Sequence, residues 1–200
     1  MENNRTIHVI GINSYRFGDL QHDIKDLFSK TKNIAVPSSF IEKIKIWESK
    51  KYIENKNFFI SKSNINLIKW LKSLDNDAIL LSRGDPLWYG IGRVLLKNFS
   101  EKELSFYPAN TCIQLAFSKL KKSWQGIKTI SIHGRDSLEL IKTLKRKEKS
   151  IAILTDPKIK SLEIIRKNLQ ELNLCNSYEF WLFEDMGTDK EKISLIKSEE

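Results

Sequence analysis

The chain has 200 residues, 40% of them hydrophobic, which is enough to bury a core in one or two small domains. Lys and Arg outnumber Asp and Glu by 34 to 25, and the net charge of +9 suits an acidic partner or ligand. The 2 cysteines exclude a disulfide framework. No apolar run approaches the roughly 18 residues that span a bilayer.

The positive charges are scattered along the chain. The one dense run, KTLKRKEK at 142–149, follows an amphipathic helix pattern and predicts a solvated helix end. Nucleic-acid binding is therefore only a remote alternative, which would require Lys and Arg gathered on one face. A strand pattern begins at Thr6 with no apolar leader before it. We expect a cytoplasmic protein with no membrane partner.

Strand and helix patterns alternate along the first half of the chain. Short apolar runs predict strands, and apolar residues at helical spacing predict helices. The predicted strands are 6–12, 34–36, 58–61, 78–82 and 104–107, and the predicted helices are 19–30, 39–47, 64–74 and 91–98. Such alternation favours an α/β fold with largely parallel strands.

The second half continues the alternation. Helices are predicted at 111–121, 137–147 and 162–172, and strands at 127–132, 150–154, 178–184 and 192–197. The last two strands have no helix between them, so a mixed sheet is predicted here. Pro108-Ala109-Asn110 marks the predicted boundary between an N-terminal α/β domain, 1–108, and a C-terminal α/β domain, 109–200.

The stretch AILLSRGDPLWYGIG at 78–92 is the most informative one in the sequence. A buried-strand pattern ends in Gly84-Asp85-Pro86, and open α/β folds bind ligands at the carboxyl ends of their strands. Gly84 permits a positive φ or a close approach by a ligand, and Asp85 offers a carboxylate to a cation or a ribose-like diol. The alternative is a tight turn in which Asp85 caps the next helix.

Two further strand ends have the character of ligand loops. After Pro108, Thr111 either caps an ordinary helix or leaves amino-terminal amides free to meet a carboxylate. In SIHGRDS at 131–137, His133 offers a titratable group and Arg135 a bidentate carboxylate binder, although a lone histidine is more often structural. Neither cysteine stands at metal-ligand spacing from a histidine, so no metal is expected.

Taken together, these loops resemble those of the tetrapyrrole (corrin/porphyrin) methylases, which use S-adenosylmethionine. GDPLWYGIGR is similar to the family's Gly-Asp-Pro loop, and PANTCIQLAFSKL to its Pro-Gly-x-Ser/Thr-Ser segment. ISIHGR, ILTDPK and FEDMGTDKEKI resemble segments of the branch that methylates C5 in cobalamin biosynthesis. The chain departs from the family at Gly11-Ile12-Asn13-Ser14, where Gly-x-Gly-Pro-Gly is usual, and at Ala109 and Asn110.

The resemblance implies two α/β domains of the tetrapyrrole methylase type with the ligand cleft between them. It implies methyl transfer to C5 of a precorrin-type ring by a homodimer, with a C15-methylating decarboxylase domain either fused or separate. Another ring position or a non-tetrapyrrole target is the alternative within the same fold. The implied donor-site residues are Gly84, Asp85 and Trp88 from the first domain and Thr111, Cys112 and Leu154 from the second.

The chemistry of the implied reaction agrees with further residues. The ring carries carboxylates, so Arg93, Arg135 and the net positive charge suit its attraction. Methyl transfer from a sulfonium to an electron-rich carbon depends on alignment more than on acid–base groups. His133 is the candidate for assisting loss of the ring proton. The sequence leaves open whether the ring is metal-free or holds cobalt.

Overall fold

A computed structural model describes residues 5–13, 17–132, 137–156 and 160–196, and the chain forms two compact units, Met1–Cys112 and Ile113–Glu200. Both contain strands and helices, which confirms the predicted α/β class. The sequence-based boundary after Pro108 and the cleft between the domains stay predictions. No helix among the described residues is both long and apolar enough to cross a membrane.

The first unit is built on a five-stranded sheet with the order β3-β2-β4-β1-β5 and every pairing parallel. Its strands are β1 (Ile7–Ile12), β2 (Asn33–Pro37), β3 (Asn57–Ser61), β4 (Ala78–Arg83) and β5 (Leu104–Tyr107). Its helices are α1 (His22–Lys30), α2 (Ile41–Ser49), α3 (Asn64–Lys72) and α4 (Gly92–Leu96). The predicted strands and helices are all present, with ends shifted by a few residues.

Both faces of this sheet are buried, because the central strands β1 and β4 are apolar at nearly every position. Successive side chains point to opposite faces. Ile10 and Leu81 join the core that contains Phe28 and Trp47, on one face. The opposite face packs against α3 and α4 through a second core that includes Ile7, Val9, Leu80, Leu67, Leu71 and Leu95.

Polar contacts fix both ends of α3. The Ser63 side chain accepts a hydrogen bond from the Asn66 amide at 3.2 Å, which satisfies one of the free amides of the first turn. At the carboxyl end, buried Arg5 donates through Nη1 to the Leu71 carbonyl at 2.7 Å and to the Leu74 carbonyl. Arg5 lies two residues before β1, so it ties this helix to that strand.

The second unit contains two separate two-stranded sheets among its described residues. β6 (Lys128–Ser131) and β7 (Ile151–Leu154) pair in parallel, whereas β8 (Phe180–Glu184) and β9 (Lys192–Ile196) form an antiparallel pair. The sequence predicts one mixed sheet at this place. The helices are α5 (Cys112–Leu120), which starts at the last residue of the first unit, α6 (Leu138–Lys145) and α7 (Ser161–Glu171).

Candidate functional site

The segments that follow β1, β4 and β5 lie side by side at the carboxyl edge of the first sheet. These three strands are neighbours and run parallel, so their carboxyl ends share one edge. Asn13 follows β1, the loop 84–91 follows β4, and the segment 108–111 follows β5. This edge is where open α/β folds bind their ligands.

The backbones of these three segments are in contact. The Gly84 amide donates a hydrogen bond to the Ile12 carbonyl at 3.2 Å, and the Ala109 amide donates to the Gly84 carbonyl at 3.4 Å. Gly11 lies in the same contact: a Cβ built on it would overlap the Gly84 carbonyl and lie 2.8 Å from the Ala109 nitrogen. Position 11 therefore requires glycine because two other backbones approach it.

Gly84 has a positive φ of 59°, and a positive φ is one of the two reasons for glycine that the sequence suggests at this position. A Cβ there would lie 3.2 Å from the Asn110 carbonyl oxygen and 3.5 Å from the Thr111 Cα. Both the backbone conformation and the nearby segment thus favour glycine. Without a side chain at this point, the peptide groups on either side of Gly84 stay close to the edge of the sheet.

Asp85 shapes its own loop. Its Oδ1 accepts a hydrogen bond from the Leu87 amide at 2.8 Å, and its carbonyl accepts one from the Trp88 amide at 3.2 Å. Helix α4 begins only at Gly92, whose amide donates to the Pro86 carbonyl at 2.8 Å. Asp85 therefore does not cap the next helix, which was the alternative reading of the sequence. Its half-buried carboxylate stands at the sheet edge, where it can accept from a hydroxyl or meet a cation.

Apolar side chains border the same loop. Trp88 is half-buried and packs edge-on against Tyr89, with ring centroids 4.9 Å apart and planes at 82°. Leu87 and Tyr89 are 51% and 41% exposed. The loop therefore combines a carboxylate, close-packed backbone and accessible aromatic surface, a combination that suits a ligand with both a polar part and a flat ring.

A family model described as Tetrapyrrole (Corrin/Porphyrin) Methylases matches residues 28–200, which include the loop after β4 and the segment after β5. The chain belongs to the tetrapyrrole methylases.

Individual relatives agree with this membership. The methylase is 30% identical over 149 residues to a Methanocaldococcus jannaschii protein named a probable cobalt-precorrin-7 C(5)-methyltransferase; the match covers 71% of this chain and 68% of the relative. The crystal structure of a cobalamin-biosynthesis precorrin-6Y methylase from Archaeoglobus fulgidus is similar, with a TM-score of 0.68 at 18% identity. That match covers 97% of this chain and 90% of the other.

A further solved structure is a uroporphyrin-III C-methyl transferase from Thermus thermophilus complexed with S-adenosylhomocysteine. Its TM-score is 0.69 at 15% identity, over 97% of this chain and 89% of the other. At such low identity the two structural matches establish the shared fold, and they confirm the tetrapyrrole methylase type that the sequence predicts.

The other predicted donor-site residues of the methylase occur in both units. Thr111 is half-buried beside Gly84, and exposed Cys112 opens α5; both belong to the first unit. Leu154 is half-buried at the carboxyl end of β7 in the second unit. The structure thus brings Thr111 to the loop that holds Asp85 and Trp88. The roles of all these residues in binding remain predictions.

The residues predicted to act on the ring substrate are less completely described. Arg93 is exposed on the first turn of α4, the helix that follows the loop after β4. His133 and Arg135 lie outside the described residues. Within the described part of the methylase, no group of three His, Cys, Asp or Glu side chains could hold a metal ion.

His8 contacts two polar side chains of the first unit. It is buried on β1, with Nδ1 3.1 Å from the Tyr107 hydroxyl and Nε2 3.9 Å from Asp77 Oδ2. Burial lowers the pKa of His8, and the nearby Asp77 carboxylate partly opposes this shift. The neutral imidazole braces Tyr107, the last residue before the segment that contacts Gly84.

One residue at this edge was not assigned a role from the sequence. Arg83 is the last residue of β4 and is exposed, with its guanidinium carbon 5.7 Å from the centre of the Phe40 ring. A cation that directly follows a buried apolar strand and precedes a glycine is a signal visible in the sequence. The contact of Arg83 with Phe40 is not visible in the sequence, because 43 positions separate the two residues.

Proposed function

We propose that this methylase transfers the methyl group of S-adenosylmethionine to C5 of a precorrin-type ring in cobalamin biosynthesis. The observation that carries the proposal is the meeting of Gly11, Gly84 and Ala109 at one sheet edge, beside the Asp85 carboxylate. The similarity to the Methanocaldococcus protein supports the choice of C5. A methylase of another ring position, or of a non-tetrapyrrole target, would keep the same donor loop.

The residues at this edge fit the methyl donor. S-adenosylmethionine supplies a methyl group on a positively charged sulfur, together with ribose hydroxyls and an adenine ring. Asp85 would accept from hydroxyls or complement the cation, and Trp88 would offer apolar contact to a ring. The crowded backbone at Gly84 would fix the loop in place before the donor binds. Thr111, Cys112 and Leu154 complete the proposed donor site.

The chain's contribution to the reaction would be alignment. The bond between the methyl carbon and sulfur breaks as the bond to ring C5 forms, and such a displacement requires the two reactants in line. Arg93 and Arg135 would hold ring carboxylates, and the net charge of +9 would favour approach of an acidic substrate. His133 would accept the proton that the ring loses after methylation.

The remaining parts of the proposal concern organisation. We expect a cytoplasmic homodimer that acts alongside a C15-methylating decarboxylase, either fused or separate. Size-exclusion chromatography with light scattering tests the dimer, independently of the assignment of the donor loop.

Calorimetry with S-adenosylhomocysteine tests the donor site. Asp85→Ala removes both the charge and the turn acceptor, whereas Asp85→Asn removes the charge and retains an acceptor for the Leu87 amide. Loss of a hydrogen bond to a charged group costs about 1.5–3 kcal/mol, so we expect binding about 10- to 150-fold weaker in both variants. Asp75→Asn is the control, because Asp75 is exposed at the amino end of β4.

The two substitutions separate binding from loop shape. Equal losses in Asp85→Ala and Asp85→Asn indicate that the charge contacts the donor, and a loss in Asp85→Ala alone indicates that the carboxylate only shapes the turn. A wild-type protein that does not bind S-adenosylhomocysteine would contradict the proposed function as a whole.

A further inference from the structure

The hydrophobic core does not require the positive charge of Arg83. The five preceding residues of β4, Ala78 to Ser82, are buried, and only Arg83 is exposed. Its neighbour in the sheet is Ile12 of β1. The side chain therefore emerges at the carboxyl edge of the sheet, one residue before the Gly84 that contacts Ala109 and Asn110.

The guanidinium is held against a fixed aromatic surface. Phe40 is only 1% exposed and belongs to the core of the first unit, in the short turn Ser38–Phe40 that follows β2. The Arg83 guanidinium carbon lies 5.7 Å from the centre of this ring, within the range of a cation–π contact. Stacking on a buried ring limits the conformations of a long side chain and leaves the edges of the guanidinium free to donate.

Arg83 has no acidic partner among residues 5–13, 17–132, 137–156 and 160–196. No carboxylate oxygen of this part of the chain lies within 4.0 Å of its guanidinium nitrogens, whereas the buried Arg5 pairs with Glu103. Arg93 is also exposed, but it lies on α4 and not at the end of a strand. Arg83 therefore combines an available fork of donors with a fixed position beside the Asp85 loop.

We infer that Arg83 binds a carboxylate of the ring substrate and helps to select rings with acidic side chains. The inference deepens the proposed function and rests on it. A planar guanidinium binds a carboxylate through two parallel hydrogen bonds, which a lysine cannot reproduce. The methyl donor also carries a carboxylate, in its amino-acid part. The test must therefore distinguish the carboxylate of the ring from that of the donor.

Two binding measurements on four proteins make this distinction. Cobalt-precorrin-7 is titrated by quenching of tryptophan fluorescence and S-adenosylhomocysteine by calorimetry, with wild type, Arg83→Gln, Arg83→Lys and Arg146→Gln. Arg146 is the control, since it is exposed in the second unit and its substitution removes the same charge. We expect Arg83→Gln to weaken ring binding about tenfold, with Arg83→Lys between it and wild type. Binding of S-adenosylhomocysteine stays unchanged.

Each other outcome overturns the inference. Ring binding equal in wild type and Arg83→Gln would remove Arg83 from the substrate site and leave the proposed function intact. Weaker S-adenosylhomocysteine binding in Arg83→Gln would assign the side chain to the donor's carboxylate. A loss of the same size in Arg146→Gln would indicate general charge attraction instead of a specific contact. A wild-type protein that binds no ring would contradict the proposed function together with this inference.

Discussion

Replacement of Gly11 by alanine tests the close contact of the three segments. The added Cβ would overlap the Gly84 carbonyl and lie 2.8 Å from the Ala109 nitrogen, and both neighbours are backbone atoms that cannot rotate away. The segments would have to separate. Forced overpacking costs about 1–3 kcal/mol, and loss of the hydrogen bond from Ala109 to Gly84 adds about 0.5–1.5 kcal/mol. We expect Gly11→Ala to lower the free energy of unfolding by about 2–4 kcal/mol.

Two measurements follow the effect of this substitution. Urea unfolding gives the loss of stability, and calorimetry with S-adenosylhomocysteine gives the loss of donor binding, which we expect because Gly84 moves. Gly18→Ala is the control, since no heavy atom lies within 4 Å of a Cβ at Gly18. If Gly11→Ala unfolds and binds like Gly18→Ala, the backbone contact that defines the candidate site is wrong.

Three further predictions concern other parts of the chain. Arg5→Met removes the buried donor to the Leu71 carbonyl of α3 and to the Leu74 carbonyl just after the helix, and urea unfolding should record a loss of about 2–4 kcal/mol; a loss below about 1 kcal/mol would contradict its bracing role. Because burial lowers the pKa of His8 below the ordinary value of about 6.5, the unfolded chain binds this proton first as the pH falls. Stability contributed by neutral His8 is then present above about pH 6.5 and decreases below it; His8→Gln should flatten this dependence, and the exposed His22→Gln should not. Arg135→Lys should raise the KM for the ring without changing donor affinity, because a point charge cannot replace a bidentate fork. A variant with the same steady-state kinetics as wild type would remove Arg135 from the site.

The sequence predicts the order of elements in the first unit well, because each strand there is a short apolar run bounded by polar or turn residues. β5 is observed at Leu104–Tyr107, as predicted, and β4 extends one residue past the predicted end to include Arg83. Arg83 is exposed and charged, so a prediction from hydrophobicity alone ends β4 one residue too early. Hydrogen bonding with Ile12 of β1 continues the strand instead.

Contacts between residues far apart in the sequence could not be predicted. Gly11 needs glycine because of atoms at 84 and 109, and Phe40 supports Arg83 through a strand pairing that no local pattern encodes. Asp85 has a typical helix-cap residue type, yet its oxygen accepts from Leu87 inside the loop. In the second unit, the apolar alternation of β8 and β9 indicates strands without specifying their partner, and they pair with each other.

Transfer of a labelled methyl group tests the central claim most directly. Wild-type protein is incubated with cobalt-precorrin-7 and S-adenosylmethionine labelled with ¹³C at its methyl group, and NMR then locates the label on the ring. We expect a single labelled methyl on C5, and none in a mixture that lacks the protein. Label at another ring carbon would contradict the C5 assignment, and no transfer to the ring would contradict the proposed function.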